Sequence, residues 1–269
     1  MRSVICHFFN EAYLLPWWLK HHVPIFDHGV MIDHGSTDGS ADLIRHYAPH
    51  WRLVHTRLMK FNVVLNDLEV MRYEEELPGW KIALNVTEFL INAIPLPVIE
   101  KYCVEKELDG FGCSGFVAVD LKPEELPRHE ESLLLQKPWA LDDNRITGAQ
   151  QRVDAGLTSI PERNRLYHRD HVGMYLPGRH RSFHPASTRR NPDVLVVHFR
   201  YSPWNAQALQ RKMQILDRVD PKDLARGWGI QHARKTDQLE HERQKVMPLV
   251  EDLREHQIAS RSAAFKKTL

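Results

Sequence analysis

Charge of one sign is what this chain most plainly lacks. Lys and Arg total 36 against 35 Asp and Glu, a net charge of +1. Nothing in that balance calls for nucleic acid or an anionic membrane as partner. Cysteine is scarce too. Cys6, Cys103 and Cys113 make an odd count without metal-type spacing. That argues against a disulfide framework and fits a reducing, cytoplasmic setting. Long apolar runs are missing: Leu14-Leu15-Pro16-Trp17-Trp18-Leu19 is too short and too aromatic to span a bilayer. No signal-peptide pattern and no internal repeat is visible, so the expectation is a soluble protein, with peripheral membrane contact left open.

What is present is an ordinary globular composition. The chain has 269 residues and is 42% hydrophobic, enough for one large domain, or one domain with an appendage, around a sizeable core. Its 17 histidines are many for this length, and most are read as scattered surface residues.

The most informative stretch is Asp33-His34-Gly35-Ser36-Thr37-Asp38-Gly39-Ser40, directly after the apolar run Val30-Met31-Ile32. A buried strand runs into a tight polar turn, and helical spacing follows over residues 41–47, with Ser40 as the expected N-cap. Val4 to Phe9 repeats the grammar: a strand, a stop at Asn10-Glu11, and a helix over residues 13–22. Ligands of open α/β sheets bind outside the carboxyl ends of strands. Asp33 and Asp38 therefore fall at the edge where a base, a ribose or a phosphate is received.

Alternation continues. Strands are expected at residues 51–56, 80–84 and 116–119, and helices at 66–77 and 96–107. Residues 122–163 read as an irregular insertion of the kind that serves as a lid or binding loop. Residues 165–169 and 195–199 read as further strands, flanking the basic loop Pro177-Gly178-Arg179-His180-Arg181. An amphipathic helix is expected at 204–219, and a charged helical tail at 231–255. Adjacent on one helix, Trp17 and Trp18 point different ways, which would leave one exposed. Trp139 and Trp204 are candidates to stack on a sugar ring.

Four pieces in order resemble a glycosyltransferase of the GT-A fold, near family 2 and its relatives. They are Asn10-Glu11; the Leu14-Leu15-Pro16-Trp17-Trp18-Leu19-Lys20-His21-His22 helix; the Asp33–Ser40 turn; and Asn85-Val86-Thr87-Glu88-Phe89-Leu90, where the family carries Asp-x-Asp-Glu-Phe-Leu. The match is good over residues 3–91, weakens through the middle, and partly returns at His180 and at Val196-Val197-His198-Phe199-Arg200. The resemblance implies an α/β, Rossmann-like mixed sheet flanked by helices. A catalytic domain would cover 1–202, divided into a nucleotide-binding half (1–91) and an acceptor half (92–202), with a helical extension at 203–269. It implies transfer of a sugar from a nucleotide-sugar donor to a hydroxyl of a glycan, lipid or protein, with inversion. Asp33 would contact the base. Asn10, Glu11, Ser36, Asp38, Asn85, Thr87 and His180 would complete the donor pocket. Asp120 and Asp142 are the candidates for the general base.

The departure lies in the metal motif. In the family a divalent cation on two aspartates holds the leaving diphosphate; here Asn85 and Thr87 replace them. Three accounts follow. Glu88, His198 and the diphosphate hold Mn²⁺ or Mg²⁺; or Arg179, His180 or Arg181 replaces the cation; or donor binding is poor and nothing is catalysed. The last leads to the non-enzyme alternative, a nucleotide-sugar-binding or scaffold module. A nucleotidyltransferase fits less well, because Asn10-Glu11-Ala12-Tyr13 is not a Gly-rich basic phosphate loop.

Overall fold

The protein is described by a computed structural model covering residues 1–142, 164–229 and 232–266. Its ten strands are β1 (Arg2–Phe8), β2 (His28–Asp33), β3 (Arg52–His55), β4 (Trp80–Ala83), β5 (Glu88–Asn92), β6 (Gly110–Val119), β7 (Trp139–Asp142), β8 (Arg165–His168), β9 (Arg190–Tyr201) and β10 (Glu251–Asp252). They form one mixed sheet in the order β10-β7-β6-β8-β4-β1-β2-β3, with β9 pairing β6 and β5 pairing β9.

The expected α/β class with a mixed sheet is present, and its centre follows from sequence. Val4, Ile5 and Cys6 of β1, and Val30, Met31 and Ile32 of β2, are fully buried. Unbroken apolar runs of this kind suit strands covered on both faces. Here β1 pairs in parallel with β2 on one side and with β4 on the other. The chain thus moves outward from β1 to β2 and β3, then returns to β4 on the opposite side of β1. That reversal makes the carboxyl ends of β1 and β4 a topological switch point, where a crevice opens.

Helices α1 (Leu15–His22), α2 (Ser40–Tyr47), α3 (Val63–Glu76) and α4 (Leu96–Glu105) fall close to the expected segments. The start of α3 was expected at residue 66. Asn62 moves it forward by capping the helix, its side chain accepting from the Leu65 N–H at 3.0 Å. Ser40 is not the cap of α2. Left-handed Gly39 holds that position, and the Ser40 hydroxyl points into the protein, where it accepts from the Glu11 N–H at 2.8 Å.

Other expectations are corrected. Trp17 and Trp18 are both buried. The indole of Trp17 donates to the Arg128 carbonyl, and that of Trp18 to the Glu88 carbonyl. The insertion is partly regular: it contains α5 (Leu133–Gln136) and β7. The helix expected at 204–219 breaks into α6 (Ala206–Met213) and a 3₁₀ turn, Leu216–Arg218. After α7 (Pro221–Ala225) and α8 (Thr236–Val246), the chain rejoins the sheet through β10, which pairs with β7. Among the described residues no helix is long and apolar enough to cross a membrane.

Candidate functional site

A cavity of about 210 Å³ opens at the switch point. His7, Phe8, Phe9 and Glu11 from the end of β1, and Asn85, Val86 and Thr87 from the end of β4, form its floor. Helix α3 and the residues just before it supply Phe61, Asn66 and Asp67; the loop before β9 supplies Arg179 and His180; β9 supplies His198 and Arg200; α6 supplies Arg211 and Lys212.

The charged lining is four basic side chains (Arg179, Arg200, Arg211, Lys212) against two acids (Glu11, Asp67). Each acid is paired. Arg211 Nη1 donates to Glu11 Oε1 at 2.7 Å, and Arg179 Nη1 donates to Asp67 Oδ1. Arg179 also donates to Asn85 Oδ1 at 2.8 Å and to His7 Nε2 at 2.6 Å. Arg200 is answered from outside the cavity by Glu242, 3.3 Å away.

Loop geometry puts Arg179 in place. Pro177 and left-handed Gly178 form a turn closed by the Arg179 N–H on the Leu176 carbonyl at 2.9 Å. Arg179 itself has φ 61°, a left-handed conformation rare for a residue with a side chain. Gly178 donates its N–H to Asp67 Oδ2 at 2.7 Å, so one carboxylate fixes both the loop backbone and the guanidinium.

The Asp33–Ser40 turn is laced together by hydrogen bonds, with His34 facing the cavity. Asp33 Oδ1 accepts from the N–H groups of Gly35 and Ser36 at 3.1 and 2.8 Å. Ser36 Oγ accepts from the Asn10 N–H, and Asn10 Oδ1 accepts from the Thr37 N–H. Asp38 accepts from the Ala12 N–H and from Ser40. The C-terminal segment then covers this turn. Gln214 bonds both the side chain and the carbonyl of Asn10, and Arg218 reaches the His34 carbonyl and stacks over Phe9. Of the residues assigned from sequence to the donor pocket, Glu11, Asn85, Thr87 and His180 line the cavity. Asn10, Asp33, Ser36 and Asp38 do not; their side chains bond to one another's segments in the turn.

The two candidate bases are not in the cavity. Asp120 is buried; Lys137 Nζ donates to its Oδ1 at 2.9 Å and the Trp204 N–H to its Oδ2 at 2.9 Å. It locks the end of β6 to the segment entering α6. Asp142 sits on β7, which is separated from β4 by β6 and β8. Its neighbour Asp143 lies outside the described residues. Trp139 and Trp204 are also elsewhere, lying under Lys122 and Arg243 respectively.

Of the two residues assigned from sequence to a metal ion, His198 lines the cavity and Glu88 does not. Glu88 is fully buried, and Arg165 covers both its oxygens, Nε reaching Oε2 at 2.8 Å and Nη2 reaching Oε1. The Asn85 N–H also donates to Oε2 at 2.8 Å. The Asn85 amide oxygen already accepts from Arg179. His198 lines the cavity opposite Glu88 in the β5–β9 register, but Glu88 does not line it. Among the described residues no group of three or more His, Cys, Asp or Glu is placed to hold a metal ion. The described residues of the cavity do not fit a divalent cation. They form instead a chain in which Glu88 holds Arg165, and Arg165 Nη1 donates to His180 Nδ1 at 2.7 Å. A nitrogen accepting from a guanidinium carries no proton, so the His180 proton sits on Nε2.

Burial sets the protonation of the other groups. It pushes the Glu11 carboxyl up, with Arg211 pulling the other way. His7 is held well below its ordinary value by burial and then by Arg179, and His34 is lowered to about 4, chiefly by burial. Both rings are neutral near pH 7 and pack as aromatic surface. His7 stacks on Phe61 at 5.6 Å, and His34 lies 5.4 Å from His7 and 5.8 Å from Phe61.

Arg165, Arg211 and Asp67 escaped the reading of the sequence. Each lies in a stretch recognisable only as strand or helix, where a charge normally means a solvated face. No local signal separates them from such residues.

No family model matches the chain, and no curated protein does. Similar solved structures include S. aureus TarS in complex with UDP, 16% identical over 47% of this chain and 38% of that chain, with a TM-score of 0.32. Another is glucosyl-3-phosphoglycerate synthase from Mycobacterium tuberculosis in complex with Mn²⁺, UDP and glucosyl-3-phosphoglycerate: 17% identity, 63% and 57% coverage, TM-score 0.34. A third, a mycobacterial protein, shares 16% identity over 63% of this chain and 53% of that chain, with a TM-score of 0.35. The chain spans less than two thirds of the length of each.

Proposed function

We propose that the protein is a sugar transferase that takes its donor as a nucleoside-diphosphate sugar and neutralises the leaving diphosphate with arginine and lysine rather than a bound cation. The observation that carries this reading is the excess of basic side chains in a cavity at the β1/β4 switch point. The same strand ends bear the sequence resemblance. A guanidinium matches phosphate oxygens in a planar fork, and in a site shielded from water it counters growing negative charge without reorganising.

In the reaction proposed, an acceptor hydroxyl attacks the anomeric carbon from the face opposite the diphosphate. The new C–O bond forms as the old one breaks, and the bond pair leaves on the nucleoside diphosphate. That departure places charge on oxygens near Arg179, Arg211 and Lys212, and the attack inverts the anomeric centre. The hydroxyl proton goes to Glu11, the proposed base. Its Oε1 is held by Arg211, and its Oε2 is buried without a partner. A carboxylate whose pKa is raised by burial is a stronger base than one in water. Asn10, Asp33, Ser36 and Asp38 serve in this reading by fixing the loop, and Glu88 by fixing Arg165.

The test is a thermal-melting panel of nucleoside diphosphates and nucleotide sugars in EDTA, Mg²⁺ and Mn²⁺. A ligand at a hundredfold its dissociation constant stabilises by about 2.7 kcal/mol, a shift of several degrees. The reading expects such a shift in EDTA, together with slow hydrolysis of the same nucleotide sugar when no acceptor is present. A panel without any shift in all three conditions refutes it. Binding without hydrolysis or transfer would instead support the scaffold alternative.

A further inference from the structure

Asn66 is a polar side chain in this cavity that neither the fold nor the proposed chemistry employs. It sits on the first turn and a half of α3 and is 2% exposed. It lines the cavity, and among the described residues neither its amide nitrogen nor its amide oxygen has a hydrogen-bond partner. Its neighbour Asp67, by contrast, is fully engaged by Arg179 and Gly178. Leaving both ends of a buried amide unpaired is costly, and such groups in native proteins call for an explanation.

The chemistry of a partner is restricted. An amide needs an acceptor and a donor side by side. A phosphate has no donor, and an ammonium no acceptor. The edge of a nucleobase supplies both, as Asn does when it reads adenine in duplex DNA. Vicinal sugar hydroxyls also supply both. The surroundings decide between them. The same cavity is walled by the rings of His7, His34 and Phe61, each within 5.4–5.8 Å of the other two. A wall of neutral rings favours a flat π-face over a puckered sugar.

Resting on the donor reading given above, we propose that Asn66 is a specificity-determining residue that pairs with the hydrogen-bonding edge of the donor's nucleobase while the base stacks on the His34–Phe61 wall. The diphosphate then extends toward the arginines.

Calorimetric titration of wild type and Asn66→Ala with inorganic pyrophosphate, with UDP, CDP, ADP and GDP, and with UDP-glucose tests this. Pyrophosphate should bind both proteins within about twofold. The preferred nucleoside diphosphate should lose about tenfold or more in the variant. The melting temperature of the unliganded variant should match or exceed that of wild type, because an unpaired buried amide has been removed. Three results overturn the assignment while leaving the donor reading intact: equal nucleoside diphosphate affinity in both proteins, a loss confined to UDP-glucose, or a drop of several degrees in the melting temperature of the unliganded variant. Failure of wild type to bind any nucleoside diphosphate removes the donor reading, and this inference with it.

Discussion

Glu88 and Arg165 form a buried ion pair in which one guanidinium covers both oxygens of one carboxylate. The resembled family carries its cation on two aspartates, where this chain has Asn85 and Thr87; the acid that remains beside them, Glu88, is held by an internal arginine. Asn85 serves as an acceptor for Arg179, which a metal-bound aspartate would not need to be.

The first prediction concerns stability. Glu88→Gln leaves Arg165 buried with its charge uncompensated. Breaking such a pair from one side costs about 3–5 kcal/mol. Urea unfolding should show the midpoint falling accordingly. A variant as stable as wild type would show that the pair contributes little. Lost activity in Glu88→Gln is accordingly not evidence for a metal ligand unless the folded fraction is measured alongside.

A second prediction separates the carboxylates. Asp120→Asn should lower stability, because Lys137 loses its buried counter-charge, yet leave turnover per folded molecule near wild type. Glu11→Gln should do the reverse at the chemical step, lowering kcat about a hundredfold or more with donor affinity little changed. In wild type, kcat should rise with pH through a midpoint above the ordinary carboxylate range, because burial raises the Glu11 pKa and the base acts ionised. A normal kcat in Glu11→Gln would remove it as the base.

The third is the pH dependence of folding. His21 and His34 are each lowered from 6.5 to about 4, mainly by burial. The unfolded chain therefore binds more protons than the folded one between those values, and stability rises with pH across that window. Their contribution is fully present above pH 6.5 and lost as pH falls toward 4. Denaturant midpoints measured from pH 7 to pH 4 should decline steadily; a flat profile over that range would contradict the assignment.

Much of the fold was legible in the sequence. Buried parallel strands announce themselves as apolar runs, and Gly35 and Gly39, with φ 83° and 86°, sit where the turn needs left-handed backbone. The cavity found at the first strand end lies where the same reasoning places a ligand. Its working parts were less legible. Short acids at strand ends are good acceptors, and in this structure Asp33 and Asp38 accept from N–H groups of the turn and of Ala12, contacts that no local pattern announces. Asp120 looked catalytic at a strand end and proved to be half of a buried pair with Lys137, 17 residues away in sequence. Long-range partners of this kind, like Arg211 with Glu11 at a separation of 200, leave no local periodicity to read.

The central claim is that arginine, not a cation, receives the diphosphate, and it is tested most directly by calorimetric titration, in EDTA, of the nucleoside diphosphate that the melting panel selects, into wild type and Arg211→Met. The account predicts binding by wild type without divalent metal, little strengthened by Mn²⁺. It also predicts a loss of about tenfold to a hundredfold in Arg211→Met, the worth of one charge-assisted hydrogen bond. Nucleoside diphosphate binding that appears only with Mn²⁺ and is indifferent to Arg211→Met would contradict it.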